Sequence, residues 1–421
     1  MALPSWGRCW PTPSTSCAAG TTRLSRVTLP IAWAAAREAV FAAGSAAAPG
    51  PVPVPLAASD GLTLAAPLVT LTDLPAFPTS SVDGWAARGP APWRIVGRVL
   101  AGNRAEPLDE DGTCVEIATG GMVPRGTTAI VRVEDSTTTD GAVTGEPRRL
   151  PDWRRQGEEA AAGEELLPAG IPVTPGVIGL AASCGYDELS CRPAPRAALL
   201  VFGDELLTAG TPGAGRVRDA LGPSLPSWLR RAGAQVVHER GPVADTLEDH
   251  VAALRGAIDA GAQLICTTGG TMHGPVDHLH PALAELGAQY VVNTVAVRPG
   301  FPMLVARLPG GQFVAGLPGN PQSTFVALVS LVLPLLAGLS GRPLPTLGTV
   351  TLGADVPGRG DFTHLALVTL AGGRALPVAH VGSAMLRGLA NSVGFAVIPP
   401  GAEGREGTVA QMVPLLDGER S

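Results

Sequence analysis

The segment from Leu264 to Asp277 has the residue types of a strand that runs into a ligand-binding loop. Its short apolar start predicts a buried strand, and Gly269 and Gly270 allow the backbone to turn sharply and approach a ligand closely. Gly274 and Asp277 add peptide N–H groups and a carboxylate at the carboxyl end of a strand, where open α/β sheets bind ligands. An ordinary glycine-rich turn would show the same pattern, so these residues alone leave both interpretations open.

Two other loops in this part of the chain carry polar groups directly after an apolar run. One contains Gly203-Asp204-Glu205, and the other reads Gly316-Leu-Pro-Gly-Asn-Pro321. Asn320 suits the N-cap of a helix and Pro321 its first position. The helix would then offer free N–H groups and partial positive charge to an anion. Helix capping alone would explain the Asn-Pro pair equally well.

Three carboxylates accompany these loops, on Glu205, Asp245 and Asp277. Each lies beside a strand end or a helix start of one predicted sheet, so the three could converge on Mg²⁺, which prefers one or two carboxylates plus water and substrate phosphates. For Asp245, capping of the following helix is the competing interpretation.

Zinc is the alternative metal, suggested by His273, His278 and His280. Their spacing is not a helical i, i+4 pair with a third ligand, and no thiolate cluster accompanies them. The sequence therefore favours magnesium.

The elements that must position these loops alternate between strand and helix from Arg196 to Ser340, which predicts a parallel sheet with crossover helices. The predicted strands are Ala197 to Phe202, Ala234 to Glu239, Gln263 to Cys266, Tyr290 to Val295 and Phe313 to Ala315. The predicted helices are Ser224 to Ala232, Thr246 to Ala260, Pro281 to Leu286 and Gln322 to Leu339.

The amino-terminal half predicts a helix from Ile31 to Ala43, a small β domain with apolar runs between Trp93 and Asp135, and a second helix from Pro175 to Gly185. Asp83 precedes a glycine, which by itself indicates a turn. Thr119 begins another glycine-containing loop.

Composition excludes several mechanisms. All 30 basic residues are arginine, so a lysine Schiff base and a P-loop lysine are excluded, and an anion must be held by Arg, backbone N–H groups or a metal. The net charge of -6 and the absence of a basic stripe argue against a nucleic-acid partner. The apolar stretch from Phe325 to Leu339 is shorter than the ~20 residues of a membrane span and contains Pro334, so it predicts a buried helix.

The six cysteines include no C-x-x-C pair and are too sparse for a disulfide framework, which indicates reduced thiols and a cytoplasmic location. Residues 1–26 lack the apolar core of a secretory signal and are expected to be a disordered extension or a misassigned start.

A set of motifs in fixed order carries a more specific signal. In chain order these are Asp83-Gly-Trp-Ala86 with Arg88, Thr119-Gly120 with Pro124 and Gly126, Gly203-Asp-Glu-Leu206, Asp245, Thr268-Gly-Gly270 with Gly274 and Asp277, Arg298-Pro-Gly300, and Leu317-Pro-Gly-Asn-Pro321. Together they resemble the molybdopterin molybdenumtransferase family, which includes the carboxyl-terminal part of gephyrin. No single motif is decisive, but the collinear set covers roughly Leu29 to Leu416.

The resemblance implies a multidomain fold of α/β plus β type. The expected domains are a helix/linker domain (27–84 and 147–192), an inserted small β domain (85–146), a parallel-sheet α/β molybdopterin-binding domain (193–342) and a carboxyl-terminal β domain (343–421).

The family's reaction, implied by the resemblance, is the Mg²⁺-dependent insertion of molybdate into adenylylated molybdopterin, which releases AMP. The matching catalytic positions are Asp83, Thr119, Glu205, Asp245 and Asp277, of which the last three are the expected metal ligands, and Glu159 stands where the family usually has Asp. The matching substrate-binding positions are Gly269, Gly270, Gly274, Arg298, Pro318, Gly319 and Asn320. The family also implies a homodimer in which the partner's inserted domain completes each site.

Three departures from the family pattern leave an alternative open. Phe301 replaces the second lysine of the family's Lys-Pro-Gly-Lys-Pro loop, Ala220 replaces a serine, and Met272 replaces the serine after the Gly-Gly pair. Loss of one charge-assisted contact would cost ~1.5–3 kcal/mol, enough to slow the reaction at least tenfold. The alternative is therefore a catalytically impaired molybdopterin-binding or carrier paralogue, and a preference for tungstate over molybdate also stays open.

Overall fold

The computed structural model describes residues 29–272 and 277–415. The predictions made above for residues 1–26 and for His273 and Gly274 therefore lie outside the described residues.

The first helix, Trp33–Ala46, confirms the predicted amino-terminal helix and packs against the helix Leu333–Leu339. Its alanines allow this close approach, while Trp33 Nε1 donates a hydrogen bond to Ser330 Oγ at 2.8 Å. The buried Arg37 donates to two backbone carbonyl oxygens, at 3.0 and 2.7 Å. These contacts join the start of the chain to a helix almost three hundred residues later.

Short strands build the rest of the amino-terminal region. They form a three-stranded sheet of Val52–Pro55, Glu188–Arg192 and Thr63–Leu64, and two-stranded pairs of Leu68–Val69 with Glu165–Leu167 and of Thr79–Ser80 with Trp153–Arg154. The predicted second helix is present as Pro175–Ser183, because Thr174 accepts a hydrogen bond from Val177 N and Pro175 occupies the first turn.

The predicted β domain is present as one six-stranded sheet. Its strands, in sheet order, are Ser136–Thr139, Ala142–Gly145, Trp93–Val99, Thr113–Ile117, Gly84–Arg88 and Ala129–Arg132. Apolar side chains cover both faces of the central strands, and Ala86 and Ala87 contribute to two separate buried clusters.

The α/β region contains a six-stranded sheet. Its strands, in sheet order, are Gln235–Val243, Arg196–Phe202, Leu264–Thr268, Phe313–Leu317, Leu304–Arg307 and Gln289–Val292. The first four are parallel, as predicted. Leu304–Arg307 runs in the opposite direction and pairs antiparallel with both Phe313–Leu317 and Gln289–Val292, an addition to the parallel sheet that was not predicted. The strand Leu304–Arg307 was missed because its short apolar run lies between prolines, and its pairing is decided by a distant partner.

The prediction of one strand from Tyr290 to Val295 was wrong. The segment forms two strands, Gln289–Val292 and Val295–Arg298, and the second leaves this sheet to pair with Thr363–Ala371.

The helices around the sheet are close to prediction. They are Leu225–Arg231, Leu247–Asp259, Leu279–Glu285 and the continuous stretch from Pro321 to Leu339, which comprises Pro321–Ala327, a π-helical turn at Leu328–Val332, and Leu333–Leu339. The last stretch is long and apolar enough to cross a membrane, but 89% of its apolar window is buried inside the protein, as expected of a core helix.

The carboxyl-terminal region forms most of a seven-stranded sheet. Two of the strands come from earlier in the chain, one from the amino-terminal region and one from the α/β region. Its strands, in sheet order, are Ile31–Ala32, Val295–Arg298, Thr363–Ala371, Arg374–Pro377, Gly348–Leu352, Val409–Pro414 and Gly394–Ile398. The largest buried cluster accordingly runs from Trp33 through the α/β sheet to Val413, so these regions share one core.

We expect the contact between the first helix and the long helix to be intolerant of a single methyl group. A Cβ atom added at Gly44 would lie 2.5 Å from the carbonyl oxygen of Leu335, and overpacking of this kind costs ~1–3 kcal/mol. Gly44→Ala should therefore lower the free energy of unfolding in urea titrations. The matched control is Gly179→Ala, which lies in another helix where an added Cβ meets nothing within 4 Å. It should raise stability by ~0.5–1 kcal/mol, and equal effects at the two positions would contradict this account of the packing.

Candidate functional site

The carboxyl ends of the four parallel strands bring the predicted loops to one edge of the sheet. The strand Leu264–Thr268 pairs with neighbours on both sides, and its last residue, Thr268, lies opposite Val201 on one side and Leu317 on the other. The loops after these strands therefore begin at the same level, as the sequence indicated.

A cleft of about 570 Å³ lies between these loops. Its lining includes Glu205, Thr268, Gly269, Gly319 and Asn320. Gly269 and Gly270 have φ angles of 86° and 65°, which favour glycine. A Cβ atom added at Gly319 would lie 3.5 Å from the Cα atom of Gly269, in van der Waals contact with it. Two loops thus approach backbone to backbone and leave room for a ligand above them.

Asp245 takes a different role from the predicted helix cap. Thr246 is the N-cap of Leu247–Asp259 and its hydroxyl accepts a hydrogen bond from Asp249 N at 3.1 Å. The Asp245 carboxylate instead accepts a hydrogen bond from the backbone N–H of Asp204 at 3.2 Å. This bond ties the Asp245 loop to the loop that carries Glu205.

His250 lies beneath these loops and was missed by sequence reasoning. Its fully buried ring stacks on Phe202 with a centroid distance of 3.8 Å, and its Nε2 atom lies 3.6 Å from Asp245 Oδ1. The ring of His278, next to Asp277, meets it edge-on at 5.7 Å. One ring therefore contacts the end of a strand, the Asp245 loop and the residue after Asp277, and neither of its nitrogens has a hydrogen-bond partner among the described residues. The available signal was its position on the same helix face as Ala253, Leu254 and Ala257, all buried.

Asp277 is half-buried and, like Asp245, does not line the cleft that contains Glu205. Among the described residues, no group of three His, Cys, Asp or Glu side chains is arranged to hold a metal ion. His280, one of the histidines behind the zinc alternative, has its Nδ1 atom 2.6 Å from the hydroxyl of Tyr290. Glu205 is thus the expected metal ligand that reaches the cleft directly, with Asp245 and Asp277 on the neighbouring loops.

A second cleft, of about 820 Å³, adjoins the first and shares Asn320 with it. It lies at the junction with the carboxyl-terminal sheet. Arg298 and Arg359 contribute cations and Pro318 contributes backbone, whereas no Asp or Glu belongs to the described lining. Glu205, Asp219 and the guanidinium group of Arg218 line the first cleft, so carboxylates are found in the first cleft and not in the described lining of the second.

The helix start at Asn320 and Pro321 differs from expectation. Asn320 occupies the N-cap position without a side-chain capping bond. The backbone N–H groups of Gln322 and Ser323, expected to be free for an anion, donate to the carbonyl oxygen of Ser383 at 2.9 and 3.3 Å. Ser383 belongs to the carboxyl-terminal region, sixty positions after Ser323. Its carbonyl oxygen therefore accepts the hydrogen bonds that were expected to be available to an anion.

Asp83 and Thr119 meet each other but not the cleft. The backbone N–H and the hydroxyl of Thr119 donate to Asp83 Oδ1 at 2.7 and 3.1 Å. Asp83 lines a separate pocket of about 140 Å³ whose rim includes Leu100 and Val133, both about half exposed. The structure unites two distant motifs of the inserted sheet, but no residue of that sheet lines the two clefts described above.

The departures from the family pattern are visible in the structure. Asp219 lines the carboxylate cleft, and its Oδ1 atom accepts hydrogen bonds from the backbone N–H groups of Leu221 and Gly222, both at 2.9 Å. Ala220 offers no hydroxyl to the cleft that it lines. Met272 is 55% exposed. Glu159 donates its backbone N–H to Leu74 O and leaves its side chain exposed.

Comparison with known proteins decides the family. Residues 31–185 match the MoeA N-terminal region (domain I and II), residues 198–338 match a probable molybdopterin binding domain, and residues 349–415 match the MoeA C-terminal region (domain IV). Molybdopterin molybdenumtransferase 2 of Mycobacterium tuberculosis is 33% identical over 377 residues, which cover 83% of this chain and 91% of that protein.

The chain belongs to the molybdopterin molybdenumtransferase family. This membership confirms the resemblance and assigns the chain to the transferases of molybdenum cofactor biosynthesis. Another relative, the molybdopterin molybdenumtransferase of Synechococcus elongatus, is 33% identical over 299 residues, covering 67% of this chain and 74% of that protein.

Solved structures support the fold. Two crystal structures of the molybdopterin biosynthesis MoeA protein from Pyrococcus horikoshii both align with a TM-score of 0.74. They are 24% and 20% identical and cover 92% and 91% of this chain and all of each of those chains. The multidomain α/β plus β fold of this family member is therefore as predicted.

We expect His250 to make stability depend on pH. Burial lowers the pKa of His250 below its ordinary value, and the nearby Asp245 only partly opposes this. Because the unfolded chain binds a proton more readily than the folded chain, stability is full above about pH 6.5 and is lost as the pH falls through the folded pKa. Urea titrations from pH 7.5 downward should show this loss.

His250→Leu should flatten this dependence without lowering stability at pH 7.5, since it removes two unpaired buried nitrogens. Burial also lowers the pKa of His364. A smaller dependence of stability on pH should therefore remain in this variant. An unchanged slope in the His250→Leu variant would contradict the assignment.

Proposed function

We propose that this chain inserts molybdate into adenylylated molybdopterin with the help of Mg²⁺, forming molybdenum cofactor and releasing AMP. The observation that carries the proposal is the pair of adjoining clefts that share Asn320 and differ in charge. A polyanionic substrate and an oxyanion repel each other, so a site that joins them requires separate means of binding each.

The cleft with Glu205 suits the phosphate side of the substrate. Mg²⁺ needs only one or two protein carboxylates when water and substrate phosphates supply its other ligands, and Glu205 lies in the cleft lining with Asp245 linked to the adjacent backbone. Glu205 would hold the ion. Asp245 and Asp277 do not line this cleft in the single chain, so their role as further ligands stays a prediction. Bound Mg²⁺ would neutralise negative charge on the phosphates. The glycines at 269, 270 and 319 allow the backbone to approach those phosphates closely.

The cleft with Arg298 suits molybdate as a substrate. A guanidinium group donates to two oxygens of one oxyanion at once, and no described carboxylate of the lining opposes that charge. Pro318, Gly319 and Asn320 lie between the clefts, where they would orient the pterin-bound end of the substrate.

We also propose that the active form is a homodimer. Asp83 and Thr119 match catalytic positions of the family, yet within one chain they lie in a pocket of the inserted sheet that is separate from both clefts. The half-exposed Leu100 and Val133 beside them would be covered by a partner. Each inserted sheet would then complete the partner's cleft.

A cytoplasmic location is part of the same proposal. Its support is that Cys114, Cys184, Cys191 and Cys266 are free and buried.

A carrier that binds molybdopterin without turnover is the second candidate. The observations that favour it are Phe301 in place of a lysine, Ala220 in place of a serine, and the exposed Met272 after the Gly-Gly pair. The retained carboxylate of Glu205, and Arg298, which keeps a positive charge in place of the family's first lysine, favour turnover. A tungstate-using enzyme is a variant of the first candidate and would show the same AMP release with tungstate.

We expect Glu205→Gln and Asp277→Asn each to reduce Mg²⁺-dependent AMP release by about 100-fold, because each removes charge from the phosphate side. The assay would contain purified protein, Mg²⁺, molybdate and adenylylated molybdopterin. Glu248→Gln is the matched control, since this exposed carboxylate lies on the neighbouring helix outside the cleft. No AMP above a blank for the wild type, with intact pterin binding, would favour the carrier instead.

We expect two inactive variants to complement each other if the partner completes each site. In a symmetric dimer, a heterodimer of Asp83→Asn with Glu205→Gln has one doubly substituted site and one intact site, so it should recover about half of the wild-type activity. Each variant alone should stay inactive. Failure of co-expressed, tag-purified heterodimers to recover activity would show that Asp83 acts within its own chain or not at all.

A further inference from the structure

Arg298 packs against two neighbouring aromatic rings. Its guanidinium carbon lies 4.6 Å from the ring centroid of Phe362 and 5.1 Å from that of Phe301, within the range of a cation–π interaction. The two rings meet edge-on at 5.7 Å and 80°. The Arg298 side chain is exposed and makes no ion pair within the described part of the chain. The aromatic rings are therefore what fixes its direction.

The backbone sets the position of both rings. Phe301 follows Arg298 on a tight turn in which Gly300 has a φ angle of 99°, and a Cβ atom added there would lie 3.2 Å from the carbonyl oxygen of Ser323. Phe362 immediately precedes the strand Thr363–Ala371, in which His364 lies opposite Arg298. The two rings that contact Arg298 thus come from different regions. Phe301 lies on a turn of the α/β region, and Phe362 precedes a strand of the carboxyl-terminal sheet.

We propose that Phe301 and Phe362 are positioning residues. They hold the planar guanidinium group of Arg298 in one orientation, in which it binds a tetrahedral oxyanion such as molybdate. This inference rests on the proposed function, because it deepens the role of the Arg298 cleft. A fixed guanidinium presents two parallel N–H groups to two oxygens of the anion, and less freedom is lost on binding when the cation is already ordered. Phe301 therefore supplies no charge where the family has its second lysine. It contributes instead by ordering the Arg298 guanidinium group before the anion binds.

The competing role for these rings is direct contact with substrate, for example by stacking on a pterin. The two roles differ in one respect. If the rings act through Arg298, replacing a ring should not weaken ligand binding once Arg298 has been removed. If the rings contact substrate directly, the same replacement should weaken binding with or without Arg298. A double-mutant cycle separates these cases.

The experiment measures binding of sodium molybdate, and separately of sodium tungstate, to the purified full-length protein by calorimetry at constant ionic strength. Phe301→Leu and Phe362→Leu should each weaken binding about twofold to fivefold, as expected for an exposed cation–π contact, while Phe362→Trp should bind as well as wild type. Phe77→Leu, a truncation of a half-exposed ring outside the cleft, is the matched control and should change nothing. In the Arg298→Ala background, Phe362→Leu should cause no further loss.

Equal losses from Phe362→Leu with and without Arg298 would overturn the inference, as would the absence of saturable binding of either oxyanion to the wild-type protein. Circular dichroism of every variant would confirm that it folds. Oxyanion binding with the expected cycle but no AMP release would refute the proposed transfer reaction and leave this inference standing. AMP release together with additive effects of Phe362→Leu and Arg298→Ala on oxyanion binding would refute this inference and leave the proposed transfer reaction standing.

Discussion

The common level at which four parallel strands end is the constraint on which the site depends. Hydrogen bonding places Thr268 between Val201 and Leu317, so the loops that follow start side by side. In a parallel sheet the crossover helices force every strand to enter from the same end, so residues far apart in the chain return to the same edge. Gly269 and Gly319 then remove the side chains that would fill the space between the loops. The cleft is a consequence of strand register and missing Cβ atoms.

Charge is distributed unevenly along this edge. Glu205 and Asp219 line one cleft together with Arg218, whereas Arg298 and Arg359 line the other without a described carboxylate, and Asn320 lies between the two clefts. Because the chain contains no lysine, its positive charge is carried on guanidinium groups, which are planar and can be held by aromatic faces. The buried ring of His250 lies beside Asp245, one of the carboxylates next to the first cleft. Aromatic packing thus reaches Arg298 of the second cleft directly and a carboxylate adjacent to the first.

The carboxyl-terminal sheet contributes directly to the cation-lined cleft. The strand Val295–Arg298 leaves the α/β sheet to pair with Thr363–Ala371, which brings Phe362 to Arg298. The carbonyl oxygen of Ser383 takes up the N–H groups at the start of the long helix. Both contacts occur where the two regions share one core. The cleft is thus built from both regions, and neither region alone would form it.

The sequence by itself determined the features that depend on neighbouring residues. Apolar runs that end in glycine and polar residues identified the three ligand loops and most strands and helices, and the ordered motifs identified the family before any coordinates. The absence of lysine fixed the chemistry of anion binding. These features are encoded within a few positions of one another, so no knowledge of distant contacts was needed.

Only the tertiary structure decided which groups those loops face. Local rules could not foresee the antiparallel strand Leu304–Arg307, the bond of Asp245 to Asp204 N in place of a helix cap, or the packing of His250 against Phe202 and Asp245. Phe362, one of the two aromatic partners of Arg298, and the Ser383 carbonyl oxygen that binds the N–H groups after Asn320 likewise come from the carboxyl-terminal region, sixty or more positions away. The physical reason is the same throughout. Several partners can satisfy a polar or charged group locally, and long-range packing selects among them by bringing one within contact distance.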